Sequence, residues 1–267
     1  MSLPDAGRII AVASGKGGVG KTWLAISLAQ ALAQRLAPTG QRVLLVDADF
    51  GLANVDVQLG LAPARDLGAV LGGQVPLAAA AQPHEAGFDI LPGRSGCGSL
   101  AGLGPAALTR LPALLRAAAA GWGLVVLDLG AGLEPAVRQL AAAADTLLVL
   151  ATGEPTSLTD AYAVLKLHRR DRPGGDARVV VNLAADRAAG ERVWRSLDTA
   201  CGRFLGAGVP LAGIIRRDAK VPEAIRRQMP LLTRHPGSAA ARDVASLAQA
   251  VLARLPPQAA GLDPPGA

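Results

Sequence analysis

Between Ser14 and Thr22 the chain reads SGKGGVGKT, with four glycines, two lysines and two hydroxyls within nine residues. Gly15, four residues and then Gly20-Lys21-Thr22 match the P-loop pattern, whose chemistry is the binding of nucleotide phosphates. In such a loop the backbone N–H groups of Gly15, Gly17, Gly18, Val19 and Gly20 close around phosphate oxygens, and the helix opening at Trp23 adds its dipole. Lys21 bridges the terminal phosphates, and Thr22 offers a hydroxyl to magnesium. That leaves Lys16 without a task in its own loop. The chain has only four lysines against twenty-three arginines, yet two of the four are here. A compact ammonium enters a crowded phosphate site where a planar guanidinium does not. Lys16 is therefore expected to reach the nucleotide of a second subunit, which would make ATP the link in a dimer. A solvated loop lysine is the plain alternative.

Carboxylates follow at the places such chemistry needs them. VLLVDAD ends in Asp47 and Asp49, two residues apart and so on one side of an extended chain. In VVLDLGAG, Asp128 follows four apolar residues, as a Walker-B aspartate does, and is placed to hold magnesium directly or through water. Gly51, Gly130 and Gly132 come soon after these carboxylates and give the segments the freedom of switch loops.

The elements that must position these residues are legible as apolar runs: RIIAVAS, QRVLLVDAD, FDILPG, WGLVVLDLG, ADTLLVLAT, ARVVVNLA and PLAGIIRRD. Each is continuous in apolar character, as strands buried on both faces are. Helical stretches alternate with them at Thr22 to Leu36, Pro105 to Ala120, Glu134 to Ala144, Ser157 to Arg170 and Glu191 to Leu205. The pattern predicts an α/β fold with a doubly wound, mostly parallel sheet and helices on both faces, of the P-loop NTPase kind. Ligands on such sheets sit at the carboxyl ends of the strands, the edge that carries Gly15 to Thr22. Residues 1–255 are expected to form one domain, with 256–267 a disordered Pro/Gly-rich tail. A composition 51% hydrophobic and 18% charged suits a soluble globular protein, and no apolar segment reaches the ~18 residues of a membrane span. Cys97 and Cys201 show neither disulfide-framework nor zinc spacing, which fits a reducing cytoplasm. The net charge of +6 is dispersed and aromatics make up 3%, so DNA is not an expected partner.

KGGVGKT, with its additional lysine, resembles the MinD/ParA superfamily of deviant Walker-A ATPases. Within it, DADFGLANVDVQLGL, ILPGRSG, DLGAGL and above all EPTSLTDAYAVLK, Glu154 to Lys166, resemble the FlhG (FleN/YlxH) family of flagellar number regulators. The likeness spans residues 8–255. It implies an ATPase that binds ATP or ADP with Mg2+, pairs as a homodimer with ATP, hydrolyses slowly and separates on conversion to ADP. Asp49 would orient the attacking water with Lys16 and Lys21 as its catalytic companions, while Thr22, Asp47 and Asp128 would serve magnesium. Asn182 occupies the adenine-contact position, and Arg216 to Val221, including Asp218, overlie the segment that closes over base and ribose. Asp160 and Lys166 fall in a region used for partner contact. Implied partners are flagellar basal-body or C-ring components, a FlhF-type GTPase and a flagellar transcription regulator. The implied location is the cytoplasm, with transient residence at the inner membrane face or cell pole. The alternative within the superfamily is a ParA/MinD-type positioning ATPase for DNA or division-site cargo.

The chain departs from the family pattern in three places. Only about eight residues precede the first strand, where relatives that stimulate FlhF carry a helix. The stretch Ser238 to Leu255 lacks the aromatic and basic residues of a membrane-targeting helix, and its stripe of Val244, Leu247, Ala248, Val251, Leu252 and Leu255 suits packing on the sheet; membrane contact is left open. Arg216 stands where the pattern has proline. His84, His168 and His235 show no paired ligand spacing and are assigned no role, and Arg169, Arg170, Arg172, Arg226 and Arg227 read as solvated faces.

Overall fold

The computed structural model describes residues 7–93 and 105–255, with side chains from 109 onward in the second stretch. Cys97 and the tail from Pro256 lie outside the described residues. Eight strands form one sheet in the order β3-β4-β2-β5-β1-β6-β7-β8. The strands are β1 (Arg8–Ser14), β2 (Arg42–Ala48), β3 (Gln82–Pro83), β4 (Asp89–Leu91), β5 (Gly123–Ala131), β6 (Thr146–Ala151), β7 (Asp176–Ala184) and β8 (Leu211–Arg216). All pair in parallel except β3 with β4.

Alternation along β1 divides the core in two. Ile9, Ala11 and Ala13 pack beneath α5 (Pro105–Trp122), α6 (Pro135–Ala143), α7 (Pro155–Asp171) and α8 (Arg187–Leu205). Ile10 and Val12 face α1 (Lys21–Leu36) and α11 (Ala239–Ala253) on the other side. Both layers therefore draw on continuous apolar runs, as a sheet covered on two faces requires. The stripe Val244, Leu247, Ala248 and Val251 is buried in this second layer, with Leu252 and Leu255 packed against it. α11 thus spends its apolar face on the fold, as its sequence suggests.

The five helices expected between the strands form where the periodicity places them, with small shifts at the ends set by local chemistry. α8 starts at Arg187 rather than Glu191 because Asp186 caps it, its carboxylate accepting from the Ala189 N–H. α7 starts at Pro155, a residue suited to a first helical position. The short helices α2 (Val55–Leu59), α3 (Leu67–Leu71), α4 (Leu77–Ala80), α9 (Lys220–Arg226) and α10 (Leu231–Arg234) are too brief for periodicity to reveal. No helix among the described residues is long and apolar enough to cross a membrane.

Candidate functional site

The phosphate loop runs from the end of β1 into α1. The Ser14 hydroxyl donates to the Lys16 carbonyl at 2.8 Å and pins the start of the turn. Gly20 sits at φ 88, and a Cβ there would lie 2.6 Å from Asn182 Nδ2. Gly15 is packed against α7, where a Cβ would come within 2.5 Å of the Asp160 carbonyl oxygen. α1 opens at Lys21 with no side-chain cap and no acidic residue in its first turn. Its leading N–H groups are the unsatisfied donors from which helix N-termini build anion sites.

Lys21, 7% exposed, extends from that helix to Asp128 Oδ1 at 3.2 Å and lies 3.9 Å from Asp49 Oδ2. Asp128 is fully buried and faces Asp47 across the β2–β5 register. Burial, then the Asp128 charge, push the Asp47 carboxyl up to about 7 against three backbone hydrogen bonds. Burial also raises Asp128, opposed by Lys21 and by Thr22. Two such carboxylates side by side call for more positive charge than one lysine brings. Asp128 Oδ2 is buried with no hydrogen-bond partner. With the Thr22 side chain beside it, that orphaned oxygen fits a magnesium ion or its water.

Asp47, expected to serve the magnesium region, also binds the backbone around it. Its Oδ1 accepts from the Asp49 N–H at 3.2 Å, and its Oδ2 from the Asn54 and Val55 N–H groups at 2.9 and 3.0 Å. It thereby organises the loop after β2. Asp49 lies past the end of the strand rather than beside Asp47 on it. Its Oδ1 accepts from the Gly51 and Leu52 N–H groups at 3.1 and 2.9 Å, so one oxygen shapes the loop while the other turns to Lys21.

Lys16 points away from the site of its own chain. Its ammonium donates to Glu154 Oε2 at 2.7 Å and to Thr156 Oγ1 at 3.0 Å, at the start of α7. The pair is open to solvent, with side chains 40% and 66% exposed. The hydrogen bond and charge of Lys16 hold the Glu154 carboxyl below the usual carboxylate range. Sequence reading marked Glu154 as the start of a distinctive stretch but missed it as the partner of Lys16, since 138 residues separate the two.

Beside the loop lies a cavity of about 500 Å3, lined in part by Gly18, Gly20, Trp23, Asn182, Arg216 and Asp218. Every base-contact candidate is therefore at this cavity. Asn182, 2% exposed, donates through Nδ2 to the Val19 carbonyl at 2.8 Å. A carbonyl can only accept, so the amide orientation is settled and Asn182 Oδ1 remains as an acceptor. Trp23 is 5% exposed, and its indole N–H has no partner.

Arg216, expected at the base, lines the cavity with its guanidinium held by Asp243 of α11 at 2.8 and 2.9 Å. Asp243, missed in the sequence, also accepts from the Arg216 N–H at 3.0 Å. Asp218 is likewise a structural cap, accepting from the Lys220 and Ala240 N–H groups at 2.9 and 3.1 Å. Burial raises its carboxyl, but these hydrogen bonds outweigh burial and hold it low. Both residues build the cavity wall.

Of the arginines read as solvated faces, Arg170, Arg226 and Arg227 are exposed, whereas Arg169 and Arg172 bind backbone carbonyls. Arg169 donates to the carbonyls of Leu205, Ala207 and Gly208, and Arg172 to those of Ala142 and Ala144. His168 is buried with both ring nitrogens unpartnered. Among the described residues no cluster of three His, Cys, Asp or Glu side chains forms a metal cage.

Comparison with known proteins agrees with this geometry. Residues 10–231 match the model of the CobQ/CobB/MinD/ParA nucleotide binding domain. The antiactivator FleN of Pseudomonas aeruginosa is 37% identical over 91% of this chain and 86% of its own length. The flagellum site-determining protein YlxH of Helicobacter pylori is 29% identical over 71% of this chain and 63% of its own. Among solved structures, the cell division ATPase MinD of Pyrococcus furiosus superimposes with a TM-score of 0.77 at 25% identity, covering 92% of this chain and 99% of that one. MinD of Pyrococcus horikoshii, complexed with Mg-ADP, gives 0.76 at 24% identity, covering 91% and 95%.

Proposed function

We propose, from the premise that this chain belongs to the CobQ/CobB/MinD/ParA nucleotide-binding family and groups there with FleN, that it is a MinD-like ATPase switch regulating the number and placement of flagella. The observation that carries the reading is the division of labour between two lysines on one loop. Lys21 is buried against Asp128 and Asp49, where only the phosphates of its own nucleotide reach it. Lys16 is on the outside, held by an exposed glutamate that it can exchange for a phosphate of a second subunit.

ATP is the substrate that suits the rest of the site. The loop N–H groups and the open end of α1 receive phosphates. Asn182 Oδ1, an acceptor, suits the exocyclic amine of adenine. Thr22 and Asp128 would hold magnesium, which when bound supplies positive charge to the phosphate oxygens. Asp49 would hold the attacking water through the oxygen that faces Lys21, its other oxygen keeping the loop in shape. Lys21, beside Asp49 and Asp128, would meet the negative charge that develops at the terminal phosphates.

Pairing with a second copy is supported by apolar side chains on the two mobile-type loops. Leu52, after Asp49, is 74% exposed and Leu133, after Gly132, is 38% exposed. Gly132 N–H donates to the Ser14 carbonyl at 3.0 Å, so this second loop lies against the P-loop itself. Flagellar basal-body components are the partners the FleN and YlxH likeness favours, in a cytoplasmic setting with transient membrane or polar residence. The ParA-type reading loses ground because Arg169 and Arg172 are engaged internally.

Light scattering with magnesium and either ADP or ATP tests the switch, using Asp49→Ala to slow turnover and Lys16→Ala in that background. Mass should double with ATP alone and fail to double without Lys16, while ATP binding persists. A monomer with ATP bound in the Asp49→Ala protein would sink the shared site.

A further inference from the structure

Among the described residues, only Leu183 and Gln228 are non-glycine residues with positive φ, at 56° and 53°. For a leucine this conformation is strained, and such strain persists where the surroundings over-determine it. Leu183 directly follows Asn182 in β7, at a break in the β7–β8 register. Val181 pairs with Ile214 and Ala184 with Arg216, so β7 spends one residue more than its neighbour across this step. Bulges of this kind re-aim side chains beside functional sites. In a regular strand, residues 182 and 183 would point to opposite faces. Here both line the 500 Å3 cavity. Asn182 is buried at 2%, while Leu183 remains 39% exposed, an apolar side chain that nothing covers fully.

The other polar groups at the cavity leave a task open. Arg216 is held by Asp243, and Asp218 by N–H groups. Asn182 can read an edge of a base but not grip its face. The remaining apolar lining includes Val221, Pro222 and Ile225. We infer that Leu183 is the residue that closes over the face of the nucleotide base, held in position by the bulge and its left-handed backbone, and that it sets affinity for a nucleoside as against bare phosphate. This rests on the reading of the cavity as the base site of an ATPase.

Covering the exposed part of a leucine corresponds to about a fivefold gain in affinity. Calorimetry with Mg-ATP and with Mg-tripolyphosphate, on the full chain and on Leu183→Gly, separates the possibilities. Glycine accepts φ 56° without strain, so the variant should keep its melting temperature or raise it. Its ATP affinity should fall about fivefold, with tripolyphosphate binding unchanged; Leu183→Asn, which also tolerates this backbone, should behave alike. Unchanged ATP affinity in both variants overturns the inference. So does a parallel loss for ATP and tripolyphosphate with a lower melting temperature, which would assign Leu183 to the fold. Failure of the unsubstituted protein to prefer ATP over tripolyphosphate would instead remove the base-site reading beneath it.

Discussion

Replacing Lys21 by methionine keeps most of the side-chain volume and deletes the positive charge that faces Asp128. The ammonium lies 3.2 Å from an aspartate with 0% exposure, and Asp47 faces that aspartate across the neighbouring strand. Removing one partner of a buried pair leaves the other uncompensated, a loss of about 3–5 kcal/mol. Here relief is available by protonation, because burial already raises Asp128 and holds Asp47 at about 7. The loss should therefore shrink as pH falls toward 6, where the pair takes up a proton more readily. Adding Asp128→Asn should recover about half of the lost stability, since the orphaned charge is gone. Neither variant should bind ATP. Urea unfolding at pH 8 and pH 6 on the single and double substitutions measures these differences. A double variant no more stable than Lys21→Met would refute the electrostatic account and make Lys21 a packing residue.

Acid should weaken the fold through His168, whose imidazole burial, then the Arg172 charge, lower from 6.5 to about 4. The neutral form is favoured in the native state, so this stability is present above 6.5 and lost as pH falls toward 4. Between pH 7.5 and 5.0 the loss is about 1.5–2 kcal/mol, to be read as the difference between native protein and His168→Leu in urea melts at each pH. Asp49→Ala should retain ATP binding while phosphate release falls about 10²–10⁴-fold, and unchanged release would remove Asp49 from the chemistry.

Local information sufficed for the loop and for the strand edge that carries it. The spacing Gly15 to Thr22 and the apolar run before Asp128 both lie within a few residues, and both fold as their patterns suggest. What escaped notice lies at long range or runs against preference. Glu154 meets Lys16 across 138 residues, and Asp243 meets Arg216 from another layer of the fold. A leucine at φ 56° leaves no trace in sequence, because leucine is a residue that preference excludes from that region. The loop contacts of Asp47 escaped notice for a third reason. A carboxylate at a strand end reads alike in sequence whether or not three backbone N–H groups of the loop from Asp49 to Val55 also bind it.

Burial explains why one loop can hold two lysines of opposite behaviour. Lys21 is buried against Asp128, where its departure would strand that carboxylate. Lys16 and Glu154 meet in water, where an ion pair gains little and salt screens it. Changing partners there costs little, which suits a residue proposed to leave its own chain when a second nucleotide site comes within reach. Glu154 also begins α7, and Gly15 packs against the backbone of that helix at Asp160. If Lys16 exchanged Glu154 for phosphate as proposed, the change would be felt at the start of the helix that carries EPTSLTDAYAVLK. A partner docking on α7 would thus sense whether Lys16 is at home. Raised salt should loosen the Lys16–Glu154 pair in the monomer without disturbing Lys21.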